Sequence, residues 1–276
     1  MPVFRILERR MEVTVVTALL VGLAGGTIGG LLGLGGGVIM IPLLTFSSGS
    51  HPYLYQSASL LAAVAVSIGS IPRHVRSGLV DRTLVLRSLP LSIPTSIASG
   101  LTAALLPDPH LLEMIFAIFL LAIGLREIVA VFGHATTSAP SATVRNTWPR
   151  ACAVGGCMGT LSGLLGIGGG IIALPMIRAL VRFDMQTTIA TTAVLVLPAV
   201  IVGGLVRLAA AQHATTADGP PMTAWAILSL ALLLSPGCLL GGVLGAGWAH
   251  RLPRRVLETA FGLLCLVFAA RMLGIL

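Results

Sequence analysis

One 24-residue segment occurs twice in this chain. Val21–Leu44 reads VGLAGGTIGGLLGLGGGVIMIPLL and Val154–Ile177 reads VGGCMGTLSGLLGIGGGIIALPMI; they align without a gap, with 13 of 24 positions identical. Each copy is apolar on both sides of a G-x-G-G-G run, with a proline five residues after its last glycine. The first run is Gly33, Gly35, Gly36 and Gly37 with Pro42; the second is Gly166, Gly168, Gly169 and Gly170 with Pro175. Each glycine destabilises a helix interior by about 1 kcal/mol relative to alanine. Four in five residues therefore break the segment. Internal duplication is the architecture this pattern implies.

The surroundings of the breaks decide what kind of break is tolerable. Only 9% of the 276 residues are charged and mean hydropathy is +1.00, against roughly 25% charged in a soluble domain. So little charge cannot cover a water-facing surface. The apolar runs approach or exceed the ~20 residues a helix needs to cross a bilayer. The predicted fold class is an all-α polytopic membrane protein made of two tandem repeats. Each repeat has four apolar segments: 13–46, 55–72, 84–106 and 111–132, then 151–181, 187–211, 222–249 and 255–275. The repeats occupy 1–133 and 151–276, joined by a polar Ser/Thr/Pro-containing linker at 134–150. Later residues extend the likeness: Pro94 and Gly100 align with Pro236 and Gly242, and Glu113, Phe116 and Arg126 with Glu258, Phe261 and Arg271. In lipid, backbone freed by a break must be buried in protein or line a watery cavity. Each first segment is thus expected to be a broken helix or a re-entrant hairpin. The positive-inside rule gives the same arginine balance for parallel and inverted repeats. Inversion is the expectation, because paired broken helices typify inverted-repeat transporters.

Several function classes fall away. All 17 basic residues are arginines, scattered singly or in short groups between apolar runs, as topology-setting arginines are. No basic stripe with aromatic interleaving points to nucleic acid. Cys152, Cys157, Cys238 and Cys265 form no C-x-x-C pair, so no metal site or other cofactor is expected. The N-terminus lacks an A-x-A cleavage site, so no removable signal peptide is read. GLGGGV lacks the last glycine of a dinucleotide fingerprint, and without lysine there is no P-loop. A membrane enzyme would need acids, metal ligands or a Ser–His pair in the apolar runs, and all nine acidic residues lie at segment ends or in loops.

Two readings of the glycines remain. Gly22, Gly26, Gly30 and Gly155, Gly159, Gly163 recur at spacings of four and suit close helix packing. The G-x-G-G-G runs suit a small anion, because bare backbone N–H groups and half-helix ends near the midplane donate to negative charge. No arginine occupies the middle of an apolar run; Arg207 comes nearest, close to its segment's end. The expectation is therefore that Gly35–Gly37 and Gly168–Gly170, rather than a charged side chain, hold the anion. Valine at Gly36 or Gly169 is then expected to block transport and leave the fold intact.

The doubled G-x-x-G-x-G-G-G-x-x-x-x-P, followed by a glutamine and a Ser/Thr-rich helix, resembles the TauE/SafE sulfite-exporter family of permeases, over nearly the whole chain. That resemblance implies substrate passage along Gly33–Pro42 and Gly166–Pro175. It adds small polar residues from the following helices: Gln56, Ser57, Ser59 and Gln186, Thr187, Thr191, Thr192. The first-half Ser-Ala-Ser at 57–59 departs from the family's usual Gly-Thr-Ser. Capping competes with ligand contact at both glutamines, and back-bonding to helix carbonyls competes at Thr187, Thr188, Thr191 and Thr192. The function this implies is export of sulfite or an organosulfonate across the plasma (inner) membrane by a multi-pass, non-enzymatic permease. Its partners are the small anion and the bilayer, and a homo-oligomer is compatible with this reading. The alternatives are a permease for a cation or neutral solute and, behind it, an integral-membrane enzyme.

Overall fold

The computed structural model describes residues 14–49, 51–106, 109–132, 147–213, 223–249, 262–263, 265–270 and 273. Those residues are helical apart from short connections, with no strand among them. In chain order the helices are α1 (Val15–Leu32), α2 (Gly37–Ser48), α3 (Pro52–Arg76), α4 (Arg82–Leu105), α5 (Pro109–Phe132) and α6 (Trp148–Leu165). They continue with α7 (Gly170–Met176), which passes into a π-helical turn at Ile177–Val181, then α8 (Met185–Ala209) and α9 (Ala224–Trp248). Residues 265–270 are helical as well. Among the described residues α1, α3, α4, α8 and α9 are long and apolar enough to cross a membrane. Large apolar side chains point outward, including Val16, Leu20, Leu86, Leu105 and Leu240, an arrangement suited to lipid and not to water. Glu258, Phe261 and Arg271 lie outside the described residues.

Helix starts follow local chemistry. Thr14, Asp81, Asp184 and Thr223 cap α1, α4, α8 and α9, each accepting from a backbone N–H of the first turn, which satisfies donors a helix start leaves orphaned. Pro52 and Pro149 stand in the first turns of α3 and α6, where a missing N–H costs nothing.

The glycine spacings of four do what close packing requires. A Cβ at Gly26 or Gly30 would lie 2.6 Å from the carbonyl oxygen of Cys238 or Gly242 on α9, and one at Gly22 would strike that of Leu234. Gly155, Gly159 and Gly163 press in the same way on the backbone of Ser88, Ser92 and Ser96 of α4. So α1 lies against α9, and α6 against α4, with residue numbers rising together along each contact. Ser96 and Gly242 thereby hold matching places, which sets Pro90, and not Pro94, level with Pro236. The expected Pro94–Pro236 alignment is displaced by about one helical turn, a shift that keeps every residue on the same helix face.

Both broken segments are hairpins. The Gly25 Cβ position abuts Met40 on α2, and Gly29 abuts Gly36, so α2 folds back along α1. Met158 and Gly169 make the matching contact between α6 and α7. Gly33, Gly35 and Gly36 have φ of 68°, 85° and 83°, and Gly166, Gly168 and Gly169 have 72°, 79° and 70°. A side chain in this left-handed region costs roughly 1–2 kcal/mol. Three such positions within four residues explain why the run is glycine.

Candidate functional site

The two hairpin tips meet. A Cβ on Gly37 would lie 2.7 Å from the Gly166 carbonyl oxygen, and one on Gly170 would lie 2.8 Å from the Gly33 carbonyl oxygen. Around them stand the middles of α3 and α8: Gly35 faces Val196 and Ala63, and Gly168 faces Val200 and Val196. The two long helices run antiparallel here, since Tyr53 reaches Arg207 while Leu60 lies beside Gly203. Gly33 rests on the Ile189 carbonyl and Gly166 on the Gln56 carbonyl.

Of the residues singled out in the sequence, the eight run glycines, Gln56, Ser57 and Ser59 gather at or beside this junction. Ser59 Oγ lies 2.9 Å from the Gly166 carbonyl oxygen and 3.0 Å from that of Gln56, so its hydroxyl proton serves carbonyls at the second tip. Thr192, at the same sequence offset from Ser59 as Gly166 from Gly33, is fully buried with no hydrogen-bond partner. Thr191 is also buried, but its Oγ1 accepts from the Asp81 N–H at 3.0 Å. Gln186 is exposed in the first turn of α8, and the Asp184 carboxylate accepts from the N–H groups of both Gln186 and Thr187 at 3.1 Å. Thr188 Oγ1 back-bonds to the Asp184 carbonyl at 2.7 Å. Pro42 lies buried within α2; Pro175 lies half-buried within α7, just before the π turn.

One expectation needs correction. Gly36 and Gly169 are closed within their own hairpins: a Cβ on Gly36 would sit 2.5 Å from the Gly25 carbonyl oxygen, and one on Gly169 would strike that of Met158. Combined with their positive φ, this makes valine there a disruption of the hairpin and not a selective block.

Arg207 is a residue that its place in the sequence did not mark as part of this junction. Its position near the end of α8 suggests an interfacial arginine, yet it is 0% exposed. Burial comes from elements distant in sequence. Nη2 donates at 3.0 Å to both Gln56 Oε1 and the Leu164 carbonyl, and Nη1 to Ser57 Oγ at 3.4 Å. The guanidinium carbon stands 4.9 Å from the Tyr53 ring centroid, and the Tyr53 hydroxyl donates to the Arg207 carbonyl at 2.8 Å. Arg207 Nε and Gln56 Nε2 are buried donors with no partner. Among the described residues, Asp81 and Asp184 cap helices at the opposite end of α8 from Arg207, and Glu113 lies 3.9 Å from His110. A buried ion without a counter-ion costs several kcal/mol, so a guanidinium held this way is a strong feature. A signal for it existed in the sequence. Arg207 and His74 lie at the same offset as the two glycine runs, and His74 is buried too, its Nε2 3.1 Å from the Gly30 carbonyl.

Comparisons with known proteins point to a family of membrane transporters. The family model described as Sulfite exporter TauE/SafE matches residues 18–272. A probable membrane transporter protein MamO from Paramagnetospirillum magneticum is 26% identical over 94% of this chain, which spans only 44% of that relative's length. The probable membrane transporter protein YunE of Bacillus subtilis is 26% identical, with 84% of this chain and 87% of that one covered. A probable membrane transporter protein of Xylella fastidiosa is 29% identical, with 89% and 91% covered. No solved structure matches.

Proposed function

The chain belongs to the sulfite exporter TauE/SafE family, and from that premise we propose that it is a plasma-membrane permease that exports a small anion of the sulfite or organosulfonate class. The reading rests on the meeting of the two hairpin tips, Gly37 on Gly166 and Gly170 on Gly33. Two re-entrant hairpins that touch midway along α3 and α8 divide the membrane into two half-paths with a thin barrier between them. Parting the tips on one side or the other gives access alternately to each face. Inverted-repeat transporters work on this principle, with the substrate at the repeat interface.

In this reading residues 1–133 and 151–276 are inverted copies joined by 134–150. Support comes from the antiparallel contact of α3 with α8, since equivalent helices of two copies run antiparallel only about an axis in the membrane plane. The buried Arg207 favours an anion over a cation. The test is flux from proteoliposomes loaded with sulfite, thiosulfate, sulfoacetate or methanesulfonate, with sodium and glycerol as cation and neutral controls. Selective efflux of one of the anions is expected. Equal or greater flux of the cation or the neutral solute would refute the reading.

A further inference from the structure

We propose that Arg207 and Gln56 form an oxyanion subsite at the second hairpin tip, taking the negatively charged head of a sulfite-like or sulfonate ion. The inference rests on the permease reading only for what the anion is; the subsite itself stands on geometry. The guanidinium is wholly buried, and its charge is permanent. Three of its contacts are neutral acceptors: Ser57 Oγ, Gln56 Oε1 and the Leu164 carbonyl. Tyr53 covers its face. None of these carries a negative charge.

Two donors are left over. Because Gln56 Oε1 is engaged by Nη2, the carboxamide nitrogen is the free end of that side chain, and it has no acceptor. Arg207 Nε has none either. Arg207 and Gln56 are thus one hydrogen-bonded unit that carries a positive charge and two donor nitrogens without an acceptor. An oxyanion supplies both things the unit lacks, a counter-charge and acceptor oxygens. The unit adjoins the second tip directly, since the Gln56 Cβ and carbonyl touch the Gly166 position, and Leu164 belongs to the last turn before the break. An anion held there touches the element that has to move in transport. The rival account is a purely structural staple that joins α8 to α3 and to the end of α6.

Gln56→Glu separates the two. A carboxylate at position 56 still accepts from Arg207 Nη2, so the staple survives, while the subsite acquires an internal counter-ion and loses its free N–H. Purified wild-type protein is melted in detergent with sodium sulfite or methanesulfonate, against sodium chloride at matched ionic strength. Anion-specific stabilisation is expected in the wild type and at least a tenfold weaker apparent affinity in Q56E, with the melting temperature of Q56E in chloride held or raised. Ser57→Asp, which sets a carboxylate beside Nη1, is read the same way should Q56E fail to fold. Wild-type anion dependence in a folded Q56E or S57D, or no anion-specific stabilisation of the wild type, overturns the subsite. Flux is measured separately. Stabilisation without flux keeps the subsite and removes the permease reading; flux without stabilisation does the reverse.

Discussion

His74 and Arg207 each meet a backbone carbonyl in the last turn of the helix before a break. His74 Nε2 is 3.1 Å from the Gly30 carbonyl oxygen in the last turn of α1, and Arg207 Nη2 is 3.0 Å from that of Leu164 in the last turn of α6. The last carbonyls of a helix have no intrahelical partner and carry about half a negative charge. Neither α1 nor α6 has a basic residue in its own last turn, so α3 and α8 supply one. His74→Leu should therefore strand the Gly30 carbonyl and destabilise the protein by roughly 1–3 kcal/mol. His74→Gln, which keeps a donor of similar reach, should recover much of the loss. Thermal unfolding in detergent measures both, and equal stability of the two variants would show that the contact is immaterial.

The tips predict a contrast among glycines. Gly37 and Gly170 do not have positive φ, so alanine is allowed there by the backbone, but its methyl would press on the carbonyl of the facing tip. Gly37→Ala and Gly170→Ala should each cost about 1–3 kcal/mol through overpacking and should lower flux by changing how the tips close. At Gly78, φ is 72° and nothing lies within 4 Å of a Cβ. Gly78→Ala should cost only about 1 kcal/mol of backbone strain and leave flux untouched.

Ser59→Ala removes the hydroxyl that serves the Gly166 carbonyl. The buried carbonyl loses a donor, at a cost of roughly 1–3 kcal/mol. Thr192→Val deletes a hydroxyl that has no partner and should be neutral or stabilising. If melting shifts in the opposite order, the two hydroxyls have been assigned the wrong way round.

Asp184 gives a pH dependence with a definite sign. Burial raises its carboxyl pKa, but hydrogen bonds from the Thr187 side chain and from the N–H groups of Thr187 and Gln186 outweigh that and hold it below the ordinary value. The cap therefore contributes fully above the unfolded-state pKa and is lost as pH falls through the lowered folded-state pKa. Asp184→Ala should lose about 1 kcal/mol at neutral pH and flatten the acid limb of the stability curve. An unchanged acid limb in the variant would assign that limb to other groups.

Efflux should respond to membrane potential when no pH gradient exists. All nine acidic residues fall at the ends of the apolar segments or between them, and intramembrane carboxylates are the usual proton carriers. One anionic charge expelled down a potential of 100 mV, inside negative, gains about 2.3 kcal/mol. Proteoliposomes clamped with potassium and valinomycin test this. Transport that follows an imposed pH gradient and ignores voltage would contradict it, and His74 would then be the first residue to examine.

The membrane class, the apolar runs that form α1, α3, α4, α8 and α9, and the place of both breaks were legible in the chain because each depends on neighbours in sequence. Hydropathy over twenty residues sets a span, and left-handed backbone at Gly33 or Gly166 needs nothing beyond a glycine. The glycine spacings of four likewise announced close packing before α9 and α4 were known to be the partners. The burial of Arg207 was not legible in the same way. Arg207 stands two residues from the end of α8, where charge ordinarily reaches the interface. It is buried because Tyr53, Gln56 and Ser57 of α3 and the end of α6 close over it. Those groups come from far along the chain, and only the crossing of α3 with α8 brings them together. The sequence by itself determined where the helices break; the tertiary structure decided what lies beside each break, because burial and hydrogen bonding there are made by residues with no local relation to it.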